Sequence, residues 1–123
     1  MYCSRYEPDS SEVGKNMSVF VVETYVIRAE KRAEFKPALE EFLEFKDNNA
    51  DLFTGVKSWK LYKQEFGGIG GMYIEMWEYE DIAEMDRIST RIFSAEGMKK
   101  IQKGFHLLVE PATFSTSLWT QVA

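Results

Sequence analysis

Three ionisable side chains in this 123-residue chain are candidates for chemistry: Glu23, Glu75 and His106. His106 is the only histidine. Its ordinary pKa lies near neutrality, so it could serve as a general base. The alternative is a partly exposed ring near a helix C-terminus, where the helix dipole favours its cation. Glu23 and Glu75 fall on strands expected to be neighbours, on one face. Two carboxylates in a dry pocket share a proton and support acid/base work. Otherwise each meets a lysine or a tyrosine hydroxyl across a subunit interface. Tyr25, Trp59, Tyr73, Trp77 and Tyr79 surround them in sequence. They suit a slot that binds a flat, apolar substrate or ligand, and equally the core of an interface. Met72, Met76, Met85 and Met98 supply adaptable walls or fill gaps. No nucleophile–base pair is legible. Cys3 lies in a polar stretch, and no serine sits in a strand-to-helix elbow.

The bulk composition narrows the class. The length fits one domain, and 45% apolar with 15% aromatic residues is enough for a core. A net charge of -5 disfavours nucleic acid or an anionic membrane as partner, since phosphate binding needs a basic face. With one cysteine no internal disulfide forms, which fits a reducing, cytoplasmic setting. One histidine and one cysteine cannot assemble a zinc set within one chain; a carboxylate-rich site stays open but has no recognisable spacing, and neither metal nor cofactor is expected. No apolar run is long enough for a membrane span.

These side chains need elements to hold them. Residues 1–16 read as a polar arm, with Tyr2 and Tyr6 as its expected anchors, and 17–123 as one domain. "SVFVVETYVIR" (18–28) reads as a strand apolar on both faces, hence central. Residues 31–51 carry Phe35, Leu39, Phe42, Leu43 and Ala50 at helical spacing, with Pro37 in the opening turn or so. Residues 55–66 read as a half-polar strand near an edge, and 72–79 as a third strand. Between them stand Gly67, Gly68, Gly70 and Gly71. A phosphate loop would lead from strand into helix. These glycines join two strands, so they read as a hairpin, flexible enough to act as a flap. Asp81 is placed to cap a second helix carrying Ile82, Met85 and Ile88. That helix is expected to break around 92–95, with Ser94 capping the second piece and Pro111 stopping it. Residues 113–122 read as strand four.

The order β-α-β-β-α-β predicts an α+β, ferredoxin-like antiparallel sheet with both helices on one face and strands one and three at the centre. Phe20, Val22, Val26, Met72, Ile74 and Met76 are assigned to the helix side. Val21, Glu23, Tyr25, Ile27, Tyr73, Glu75, Trp77 and Tyr79 are assigned to the other. So aromatic a face needs cover, which predicts a homodimer packed through the sheet.

The chain from about Val19 to Val122 resembles the dimeric α/β-barrel superfamily, and most of all its NIPSNAP-like branch. The resemblance is carried by "ETYVIRAEKRAEF", "MWEYED" and "LLVEPATFSTSLW", matching at Tyr25, Trp77 and Tyr79. Glu23 stands where that branch often has an arginine. The resemblance implies a dimeric barrel binding a small apolar or aromatic molecule. The wider superfamily brings one alternative, a cofactor-independent monooxygenase or isomerase of the antibiotic-biosynthesis-monooxygenase type; the residues themselves leave another, a non-catalytic assembly module. The superfamily's haem degraders carry a histidine in F-x-x-A-H. Here "FSAEG" puts Gly97 in its place, so haem degradation is not expected.

Overall fold

The computed structural model describes residues 17–68 and 70–123. The expected arm and its anchors Tyr2 and Tyr6 lie outside the described residues, as does Cys3. In order, the elements are β1 (Val19–Val26), α1 (Arg32–Asn48), β2 (Ser58–Lys63), β3 (Met72–Tyr79), α2 (Ile82–Ser94), α3 (Glu96–His106) and β4 (Ser115–Thr120). The sheet is antiparallel, ordered β2-β3-β1-β4. The two strands apolar on both faces are the central pair, and half-polar β2 is an edge. No helix among the described residues is long and apolar enough to cross a membrane.

Local chemistry explains the boundaries. β2 and β3 form the expected hairpin, closed by Gln64 N–H donating to the Met72 carbonyl at 2.9 Å. Gly67, Gly68 and Gly71 take positive φ there, which a side chain would strain. Asp81 caps α2 by accepting from the Glu84 N–H at 2.8 Å. The break between α2 and α3 falls at Ala95, in extended conformation. Ser94 is not its cap: the Ser94 hydroxyl donates back to the Thr90 carbonyl at 2.6 Å. Pro37 lies one turn inside α1, beyond the positions whose N–H groups are unpaired anyway. Phe35 and Phe42 are buried on α1, but Leu43 and Ala50 face solvent, and Phe45 packs against the core instead. Asn49 closes α1 by donating to the Phe45 carbonyl.

The predicted faces are exchanged. Helices cover the Glu23–Tyr25–Trp77–Tyr79 side. Tyr25 meets Phe105 of α3 edge-on at 4.8 Å, and Trp77 lies 6.1 Å from Phe42 of α1 and 5.9 Å from Phe93 of α2. The Phe20, Val22, Val26, Met72, Ile74 and Met76 side carries no helix among the described residues. On β1 and β3 both parities are apolar, so periodicity cannot choose between them. What distinguishes the covered side is its indole and phenol donors, which can satisfy a carboxylate away from water.

Gly97 sets the spacing of α1 and α3. A Cβ there would come within 2.4 Å of Phe45 Cε1. Phe45 thus occupies the space that a side chain at residue 97 would need. Gly97→Ala gains about 1 kcal/mol of helix propensity but overpacks this contact. We expect a net loss of about 1–2 kcal/mol by thermal melting. A raised melting temperature would show that the close approach is not what selects glycine.

Candidate functional site

The register of β1 on β3 places Glu23 directly opposite Glu75. Flanking rungs on the same side pair Trp59 with Trp77, and Tyr25 with Tyr73. The central sheet thus delivers both carboxylates and their donors to one spot under the helices. Trp59 Nε1–H and Trp77 Nε1–H both donate to Glu75 Oε1 at 2.9 Å. The Tyr25 hydroxyl donates to Oε2 at 3.1 Å. Three donors from three strands hold Glu75 as an acceptor, the role of an ionised carboxylate.

Glu23 has a different environment. Burial, then the neighbouring charge of Glu75, pushes its carboxyl up from 4.5 to about 7, against the pull of the Thr116 hydroxyl. At neutral pH Glu23 is divided between its two forms. The same forces act on the phenols. Tyr25 is held well above its ordinary value by burial and then by Glu75. Tyr79 is pushed up to about 12 by burial, then by Glu23 and Glu75. No lysine or arginine forms an ion pair with either glutamate among the described residues.

A cavity of about 250 Å³ lies between the sheet and helices α1 and α3, with Glu23, Glu75, Tyr25, Trp59, Trp77 and His106 in its wall. A second, of about 350 Å³, opens beside it toward β4 and α2. Glu23, Trp77 and Phe93 belong to both walls. The second adds Tyr79, Ser89 and Thr116. Eight aromatic side chains line the first chamber, with Glu23 and Glu75 on its sheet side and Glu34 and Glu41 of α1 also in its wall.

Six of the eight residues singled out in sequence meet at this chamber. Tyr73 does not. It packs on Phe35 at 4.5 Å, nearer the hairpin. Tyr79 lines the second cavity. His106 is the exposed last residue of α3, its ring 5.8 Å from Phe114, at the chamber's rim. Among the described residues it forms no hydrogen bond with either glutamate. Sequence reasoning missed Trp59 and Trp77 as donors to Glu75, and Thr116 beside Glu23. The available signal was strand parity, which puts all of these on one face once β2 and β4 are docked. Among the described residues no three His, Cys, Asp or Glu side chains converge as metal ligands.

No protein-family model and no curated protein matches this sequence. Solved structures do match its fold. A NIPSNAP family protein with unknown function from Agrobacterium tumefaciens str. C58 aligns with a TM-score of 0.65 and 11% identity, covering 85% of this chain and 88% of that one. A conserved protein from Methanosarcina mazei Go1 aligns at 0.61 and 14% identity, over 90% of this chain and 96% of that one. The hydroxynitrile lyase from Passiflora edulis aligns at 0.62 with 9% identity, over 85% of this chain and 94% of that one. The expected fold is therefore the observed one, a ferredoxin-like α+β domain shared with NIPSNAP-family structures. Identities this low carry the fold and nothing finer.

Proposed function

We propose that this chain binds a small, flat, apolar or aromatic molecule in the chamber under α1 and α3, as a homodimer joined through its open sheet face. One observation carries the proposal. Glu75 is fixed as an acceptor by three donors, and Glu23, facing it, is pushed to about 7 inside an aromatic wall. A site that only filled space would have no need of two opposed carboxylates in different environments.

The same pair favours a second reading, proton transfer on the bound molecule. Glu23 can take a proton from an acidic C–H or O–H and return it, with Glu75 and its donors fixed beside it. That is the step an isomerase needs, and the first step of a cofactor-independent monooxygenase. His106, at the rim, is placed for exchange with solvent and not for contact at the chamber floor. Dimerisation rests on the sheet face that carries no helix among the described residues, where Phe20, Val26, Met72, Ile74 and Met76 are half-buried, with Trp119 and Tyr62 beside them on the edge strands, 61% and 47% exposed.

Native mass spectrometry of the gently purified protein tests both parts. We expect a dimer mass with an extra few hundred daltons, absent in Ala38→Trp, which fills the chamber wall. A bare dimer from both proteins favours an assembly module. A monomer overturns pairing through the open face.

A further inference from the structure

A third recess, of about 500 Å³, lies where the β2–β3 hairpin meets the start of α1. Ile27, Phe35 and Tyr73 form its apolar side, and Arg32 and Lys63 bring cations to it. Phe35 also lines the main chamber, so one ring separates the two spaces. Lys63 and Tyr73 are paired across the hairpin one rung beyond Leu61 and Glu75, on the same sheet face. That rung spacing is about 7 Å. The covered face thus runs from a carboxylate rung to a cation within the length of a two-ring molecule.

The recess is shaped around the arginine. Gly71 has φ of 82°, and a Cβ there would sit 3.3 Å from Arg32 Nη2. The bare backbone lets the guanidinium close over the hairpin. Among the described residues neither Arg32 nor Lys63 is in a salt bridge. Glu65 is the one acid in the wall, against two cations. Gln64, also in the wall, has a buried side-chain oxygen with no donor among the described residues. Half a turn of its amide would aim an N–H at an anion and remove that mismatch.

We infer that the molecule bound in the chamber is an apolar acid, its rings beside Glu75 and its anionic group held at the hairpin end by Arg32 and Lys63. This rests on the chamber being the binding site, and it names the ligand's class. The chain's net charge of -5 makes a local cation pair the place where an acid gains most over a neutral analogue.

Two fluorescent probes differing by one group test it: 8-anilinonaphthalene-1-sulfonate, and N-phenyl-1-naphthylamine, which lacks the sulfonate. Arg32→Gln and Lys63→Gln are exposed changes expected to leave the fold intact. Each is expected to weaken the sulfonate probe about fivefold and to leave the neutral probe within about twofold. If both probes bind and neither substitution separates them, the anionic subsite is overturned and the chamber stands. If Ala38→Trp, shown folded by circular dichroism, retains both probes unweakened, the chamber itself is overturned. Should Ala38→Trp not fold, Gln102→Trp in the same wall takes its place.

Discussion

Replacing Glu23 with glutamine is expected to stabilise the protein by about 2 kcal/mol at pH 8 and to change little at pH 4. In the unfolded chain Glu23 ionises near 4.5, and in the fold near 7. Between those values the folded state keeps a proton that the unfolded state has released. Stability therefore falls as pH rises through this window, and the whole penalty is present above about 7. The shift alone sets a ceiling of about 3 kcal/mol. Partial exposure and proton sharing with Glu75 reduce it. Glutamine keeps the shape and cannot ionise, so its stability should lack this slope. Chemical denaturation of both proteins at pH 4 and pH 8 measures the difference. Equal gaps at the two pH values would mean that Glu23 ionises in the fold as it does in the unfolded chain.

Glu75→Leu is expected to cost more, about 3–5 kcal/mol. The substitution leaves the Trp59 indole, the Trp77 indole and the Tyr25 hydroxyl without their acceptor. Tyr25 and Trp77 are 1% and 3% exposed, so water cannot readily replace it. A stranded buried donor costs about 1–3 kcal/mol. Glu75→Gln keeps one carbonyl acceptor and should cost less than half as much. It should also move the Glu23 transition downward, because the Glu75 charge is the second cause of the Glu23 shift. Burial, the first cause, remains, so the transition should not return to 4.5. Carboxyl NMR titration of the Glu75→Gln protein reads this directly. A Glu75→Leu protein as stable as the native one would show that the three hydrogen bonds are incidental.

The two experiments address different links. Glu75 is a structural anchor whose donors define the chamber wall. Glu23 carries the charge that changes near neutrality. An enzyme of the proton-transfer kind would need Glu23 for turnover and Glu75 for both turnover and folding. A pure binding protein would tolerate Glu23→Gln with its affinity altered only for ligands that exchange a proton.

Much of the fold was legible in residue patterning. The two-sided apolar strands 18–28 and 72–79 could only be central, and the half-polar 55–66 only peripheral. Glycines between two strands excluded a phosphate loop. The helix break followed from a lapse in periodicity near 92–95, although Ser94 turned its hydroxyl back into its own helix. The side of the sheet covered by helices was not legible. Phe20, Val22 and Val26 are as apolar as Val19, Val21 and Tyr25, and a hydrophobic count cannot rank two such faces. The deciding interaction was polar, between Glu75 and indoles from two strands, and it appears only when β2 is docked on β3. For the same reason the pairing of Glu23 with Glu75 was foreseen while their unlike environments were not. His106 was legible as a helix-end residue, and its place at the rim follows from α3 ending there.

The strand order also bears on how the chain is made. Among the described strands β1 leaves the ribosome first, yet one of its two partners, β4, follows all the others. β1 can pair with β3 once the hairpin has emerged, but its other edge waits for residues 115–120. Through that interval a strand rich in valine presents an unpaired backbone on a half-built sheet. Nascent chains whose emerged part ends between residues 80 and 114 should therefore be the ones that chaperones hold most firmly and that aggregate most readily when released early.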